Sequence, residues 1–228
     1  MDAALPSAPV AGAPALTIGV LALQGAFSAH QRVLQQLEAD AVQVRTPADL
    51  ALVHALVMPG GESTTMSRLL RTAGLLEPLA ARLHEGMPVF GTCAGMILLA
   101  TNVLDGRPDQ GSFAAIDIAV RRNGYGRQVD SFESDIVVHA PAPDSQSNPD
   151  QSFQAPFHAV FIRAPKVESV GDGVQVLASL DGTPVLARQG SVLVASFHPE
   201  LTDDPRLHAM FLDMVHTART TPRHLNTI

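Results

Sequence analysis

Apolar residues gather into short continuous runs along this chain, each ending at glycine or proline and each followed by a segment with helical spacing. TIGVLALQG, residues 17–25, is the first such run and reads as a buried strand entering a loop. In HQRVLQQLEAD, which follows, Val33, Leu34 and Leu37 recur at helical intervals. The second run ends at Met58, breaks at Pro59-Gly60-Gly61 and resumes as a helix with Ser63 or Thr64 as the expected N-cap. The third, MPVFGTCAGMILLATNVL, passes from a four-residue strand through a glycine-flanked bend into an apolar helix. Continuous apolar strands are covered on both faces. Three strand-loop-helix units in a row therefore predict an α/β fold, with a mostly parallel central sheet and helices on either side.

Beyond Gly111 the rhythm changes. IDIAV, SDIVV, HAVFI, VQVLASL, TPVLARQ and SVLVASF are β-like runs at close intervals, with Asp-Gly turn signals at 105 and 181. They predict added antiparallel strands and a return to the main sheet. The stretch 140–156 is dense in Pro, Ser, Gln and Asp and reads as a surface loop. A last amphipathic segment sets Leu207, Met210, Phe211, Met214 and Val215 on one face of a closing helix. The Ala- and Pro-rich residues 1–16 read as a flexible extension, which leaves 17–228 as one domain.

Composition narrows the function. With 15 Lys+Arg against 22 Asp+Glu, the net charge of −7 argues against nucleic acid or an anionic membrane as the main partner. One cysteine cannot close an internal disulfide, so the cytoplasm is the expected compartment. No apolar run reaches the roughly 18 to 20 residues that a membrane helix needs.

That cysteine, Cys93, stands between Gly91 and Gly95 in GTCAG. A lone cysteine is often just a small buried hydrophobe. Here the preceding strand and the glycine pair match a nucleophile elbow, which lifts one side chain out of a tight strand-to-helix turn. At a helix N-terminus the dipole favours thiolate, and the amide of Ala94 would face a developing oxyanion. A cysteine nucleophile needs a base. Of nine histidines, His198 has a carboxylate two positions on, Glu200, and alternate residues of an extended segment point to one side. Glu200 can then fix the His198 tautomer and leave the other ring nitrogen for Cys93. The Gly60-Gly61 pair lets backbone approach a ligand closely. A phosphate loop would need a lysine that MPGGESTT lacks, which disfavours nucleotide binding.

With these pieces in place the chain resembles the triad-type class I glutamine amidotransferases, and among them the family of glutaminase subunits of pyridoxal 5'-phosphate synthase. GVLALQGAFSAH, PGGESTTMSRLL, PVFGTCAGM, RRNGYGRQVDSFE, FIRAP and SFHPELTDD carry the resemblance, from about residue 17 to 215. It implies a flavodoxin-like three-layer fold and a triad of Cys93, His198 and Glu200. It also implies glutamine held by Gly61, Glu62, Ser63, Arg122, Ile162 and Arg163, with Gly61 and Ala94 as oxyanion donors. The implied activity is hydrolysis of L-glutamine to glutamate and ammonia. The ammonia would pass to a separate (β/α)8 synthase subunit in a hetero-oligomer, which builds pyridoxal 5'-phosphate from ribose 5-phosphate and glyceraldehyde 3-phosphate. No metal or organic cofactor is implied. A free-standing cysteine amidase of the same fold, or a non-catalytic regulatory subunit, would be the alternatives.

Overall fold

The computed structural model describes residues 16–107, 111–124, 131–139 and 155–220. The expected N-terminal extension (all but Leu16) and the polar stretch 140–156 (all but Ala155 and Pro156) lie outside these residues.

Seven strands form the central sheet: β1 (Thr17–Leu21), β2 (Asp40–Val44), β3 (Ala55–Met58), β4 (Val89–Thr92), β10 (Gln175–Leu180), β11 (Thr183–Gln189) and β12 (Val192–Ala195). Their spatial order is β10-β11-β12-β4-β3-β1-β2, and the five strands from β12 to β2 are all parallel. This is the doubly wound order of flavodoxin-like sheets, with β12 as the fifth parallel strand and the winding reversing between β1 and β3. Strands β11 and β10 extend it antiparallel. The Asp181-Gly182 turn joining them has both residues at positive φ, 48° and 75°, the geometry that a two-residue hairpin requires.

Alternate residues of each central strand feed opposite cores, as strand pleating dictates. Ile18, Val20, Ala55, Val57, Phe90, Leu193 and Ala195 face one cluster with Leu34 of α1 (Phe27–Gln36) and Phe211 and Val215 of α6 (Arg206–Thr220). Leu56, Met58, Val89 and Val194 face the other. That second cluster takes in α2 (Pro47–Ala51), α3 (Ser63–Thr72), α4 (Leu76–His84) and α5 (Ala94–Leu99). Two small sheets complete the fold. Strands β5 (Ala100–Val103), β6 (Ile116–Arg121) and β9 (Lys166–Val170) make one, and β7 (Ser131–Ile136) with β8 (Phe157–Ile162) makes the other. Among the described residues no helix is long and apolar enough to cross a membrane.

The α/β class, the parallel sheet covered on both faces and the antiparallel additions match the expectation from sequence. Five elements were not anticipated. Strand β9, in which only Val167 is buried, shows no apolar run, and the other four also have local causes. Strand β2 lies at the sheet edge, so only Ala41 and Val44 are buried and no apolar run announces it. Helix α2 is a single capped turn, closed by a capping box between Thr46 and Asp49. The apolar helix after Cys93 ends at Leu99, where Ala100 turns extended and the β-branched Thr101 and Val103 continue as β5. The fourth, α4, was passed over because only Leu79 is buried in it. The N-cap of α3 also differs from the expected Ser63 or Thr64: it is Glu62, and Ser63 is the first helical residue.

Candidate active site

The ends of β1, β3, β4 and β12 open on the same edge of the sheet, where parallel α/β sheets place their ligands. From β4 the chain enters Cys93 with φ 49° and ψ −103°. A non-glycine residue in that half of backbone space stores about 1–3 kcal/mol, and the surroundings must hold it there. They do so at both ends. The Cys93 N–H donates to the Ala195 carbonyl of β12 at 2.8 Å, and its carbonyl accepts from Ile97 N–H at 3.2 Å, opening α5. The flanking glycines are required by space: a Cβ on Gly95 would collide with the Met58 carbonyl of β3, and one on Gly91 would lie 2.8 Å from the Gly95 carbonyl carbon. Ala94 is the first residue of α5 and is buried.

His198 follows β12, its backbone N–H donating to the Val160 carbonyl of β8 at 2.9 Å. Pro199–Leu201 then form a short 3-10 turn rather than the extended segment expected from sequence. The turn still brings the two side chains together. His198 Nδ1 donates to Glu200 Oε1 at 2.8 Å, which leaves Nε2 for another partner. Burial is the largest influence on His198 and works against its charge. Hydrogen bonds to Cys93 and Glu200, and the charges of both, outweigh it and push the ring up to about 10. Glu200 balances the same forces: burial alone would raise its carboxyl, but His30, then His198, hold it below the usual carboxylate range.

Gly60 is where the glycine loop, the nucleophile and the histidine meet. It is buried and its φ is not in the left-handed region, so only space excludes a side chain there. A Cβ on Gly60 would run into the His198 ring and come within 3.2 Å of Cys93 Cβ. Next to it, Gly25 at φ 83° backs onto the Gly60 carbonyl, so the β1 loop braces the β3 loop. Gly61, Glu62 and Ser63 continue from there into α3. Glu62 is exposed, and its carboxylate caps its own helix: Oε1 accepts from Thr64 N–H at 3.0 Å, and Oε2 from Thr65 N–H at 2.6 Å.

The remaining candidates come from the two small sheets. Strands β6 and β9 pair antiparallel with Arg121 opposite Lys166, so Arg122, just after one strand, and Arg163, just before the other, share one end. The Gly124 N–H to Ala164 carbonyl bond, 3.3 Å, ties the two turns. Arg122 Nη1 reaches across to donate to Thr64 Oγ1 on α3 at 2.8 Å. The Ile162 carbonyl oxygen is 3.9 Å from Cys93 Sγ, and Arg163 follows it at φ 43°. Cys93, His198, Gly60 and the Ile162 carbonyl are thus brought together, and Arg122 meets Thr64 on the helix that Glu62 caps. Among the described residues no group of three or more His, Cys, Asp or Glu side chains could hold a metal ion.

Three residues escaped the sequence reading. Gly60 was noted only as part of a pair, His30 lies behind Glu200, and Gln24 packs against Gly61. His30 could have been found, because it shares the apolar face of α1 with Val33 and Leu34 at i+3 and i+4, an odd place for an imidazole.

The fold is shared with solved glutamine amidotransferases. One such crystal structure covers 87% of this chain and 98% of its own, at 46% identity and a TM-score of 0.77. A glutamine amidotransferase from Thermotoga maritima, 11% identical with a TM-score of 0.53 over 93% of this chain and 89% of its own, shares the fold alone. The chain belongs to the SNO glutamine amidotransferase family, whose model matches residues 20–217. The pyridoxal 5'-phosphate synthase subunit PdxT of Mycobacteroides abscessus is 54% identical over 87% of this chain and 96% of its own. The protein of the same name from Frankia alni is 54% identical over 88% and 96%.

Proposed function

We propose that this protein hydrolyses the side-chain amide of L-glutamine and passes the ammonia to a (β/α)8 synthase subunit that makes pyridoxal 5'-phosphate. The observation that carries the reading is the His198 Nδ1–Glu200 Oε1 contact of 2.8 Å beside the strained Cys93 elbow, with the His198 ring and Cys93 Cβ both closing on Gly60. Membership of a glutamine amidotransferase family, and relatives that are subunits of that synthase, supply the substrate and the partner.

Cys93, its thiol proton transferred to His198, attacks the amide carbon as thiolate and the carbonyl electrons move onto oxygen, where the amides of Ala94 and Gly61 receive the charge. Each such donor lowers the barrier by about 3–4 kcal/mol. As the tetrahedral species collapses, His198 protonates the leaving nitrogen and ammonia departs, leaving a glutamyl thioester. The neutral His198 then takes a proton from water, which attacks the thioester and releases glutamate. Glu200 keeps the ring oriented throughout. Arg122 and Arg163 offer planar forks suited to the substrate carboxylate, and Glu62 and the Ile162 carbonyl offer acceptors for its ammonium.

The experiment is glutamate release from L-glutamine by the purified chain, with and without the synthase subunit. Release that rises with the partner, and disappears in Cys93→Ser while glutamine still binds, is expected. Equal substantial release in both conditions would make the protein an independent amidase. Silence in both would leave a regulatory subunit.

A further inference from the structure

Behind Glu200, on the side away from Cys93, two more histidines continue the line of hydrogen bonds inward. His30 of α1 and His208 of α6 are both 0% exposed. His30 Nε2 lies 3.3 Å from Glu200 Oε2 and 3.2 Å from Thr92 Oγ1, the residue before the nucleophile. Its other nitrogen, Nδ1, lies 2.9 Å from His208 Nε2. The contact with Oε2 has ion-pair distance without full hydrogen-bond alignment, and that oxygen has no other partner among the described residues.

The protons on this line can be assigned. Burial, the largest influence on each ring, holds both histidines below their usual range, so each carries one proton. His208 Nδ1 is buried without a protein partner among the described residues. Were His30 to donate from Nδ1, His208 would have to carry its proton on that unpartnered Nδ1, and a His30 lone pair would face the Glu200 carboxylate. A buried orphan donor costs about 1–3 kcal/mol, before any repulsion. In the opposite arrangement His208 Nε2–H donates to His30 Nδ1. His30 Nε2–H then points at Thr92 and Glu200, and only an acceptor is left idle.

We propose that His30 is a positioning residue of the glutaminase site, donating from Nε2 to the outer oxygen of Glu200, and that His208 sets the tautomer that makes this possible. The proposal rests on the glutaminase reading given above. The titratable groups facing His30 are Glu200 and His198 from the turn after β12 and His208 from α6; β4 contributes the uncharged Thr92. Glu200 is thereby held from both sides, by His198 on Oε1 and by His30 on Oε2, so its carboxylate stays ionised and its plane fixed.

The test uses glutamate release with the synthase subunit present and, separately, the rate of Cys93 alkylation by iodoacetamide across pH, which needs no glutamine. His30→Leu should lower kcat about tenfold to a hundredfold, the range for losing one hydrogen bond to a charged group, with KM changed less than about twofold. The acid limb of both pH profiles should move to higher pH, because Glu200 loses a donor that favours its charge. His30→Gln, whose amide nitrogen can stand near the position of Nε2, should recover most of the loss and the limb. His208→Leu should give a smaller drop with the same direction of shift. Folded His30→Leu with wild-type kcat and unmoved limbs would overturn the proposal. Should that variant fail to fold, His208→Leu decides, and an unchanged acid limb there overturns it equally. Absence of glutamate release even in the wild type would sink the glutaminase reading, while the alkylation profiles would still decide whether His30 positions the site.

Discussion

Cys93, His198 and Glu200 are at most 8% exposed and come from the ends of adjacent central strands, whereas Gly61, Glu62 and Arg163 on loops and Ile162 at the end of β8 are in contact with solvent. The chemical and binding halves of the proposed site are thus built on different principles. The chemical half is over-determined. Cys93 is pinned by hydrogen bonds to β12 and α5, His198 by β8, and both meet at a glycine with no room for a methyl group. The binding half depends on side chains reaching between separate elements, as Arg122 does from the turn after β6 to Thr64 on α3. Bond-making tolerates little misplacement, so it belongs on packed strands. Recognition of a small, flexible amino acid can live on loops.

Gly60 is where the halves touch, so a substitution there should have the largest effect. In Gly60→Ala the new methyl must displace the His198 ring, and a shift of about 1 Å in a catalytic group costs on the order of a hundredfold in rate. Overpacking at this buried position should also cost about 1–3 kcal/mol. Glutamate release in the complex and urea denaturation measure the two effects. Near-normal release would mean that the chemical half adapts as readily as the binding half.

Arg122→Ala should act on the other half only. Loss of its fork should raise KM for glutamine about tenfold to a hundredfold and leave kcat within about threefold, the signature of an interaction made equally in ground and transition states. Arg122→Lys should recover only part of the loss, since a point charge does not replace two parallel donors. A fall in kcat with KM unchanged would move Arg122 into the chemical half.

The sequence made the chemical half legible and the binding half largely not, for a physical reason. A strand that must turn within one residue needs glycines at fixed offsets, so Gly91, Cys93 and Gly95 announce themselves locally. His198 and Glu200 are two residues apart and needed only Cys93 to give them meaning, although the turn joining them is 3-10 and not extended. Arg122 and Arg163 share one end of a small sheet through the pairing of β6 with β9, a long-range register that no local pattern encodes. Family resemblance, not spacing, singled them out. The Glu62 cap was missed because a Glu before Ser-Thr-Thr looks like one more exposed acid, while the hydroxyl residues look like the caps.

Glu62 gives the smallest and sharpest test, because two roles meet in one carboxylate. It caps α3 through Thr64 and Thr65, and the proposed function also asks it to meet the ammonium of glutamine. Burial, the largest single influence, would raise its carboxyl, but hydrogen bonds from Thr65 and Thr64 prevail and bring it from 4.5 down to about 2. A carboxyl whose value is lowered on folding contributes stability above its unfolded value. That contribution should therefore be full above about pH 4.5 and disappear as pH falls toward 2. Replacing a charged cap by a neutral amide should cost about 1 kcal/mol at pH 7. Urea denaturation of Glu62→Gln against the wild type should show that gap at pH 7 and its closure between pH 4 and pH 2. A gap independent of pH would remove the cap's charge from the account. KM for glutamine separates the second role: a rise of threefold or more would place the carboxylate on the substrate as well. An unchanged KM would leave Glu62 holding the helix alone, with the Ile162 carbonyl as the remaining acceptor for the ammonium.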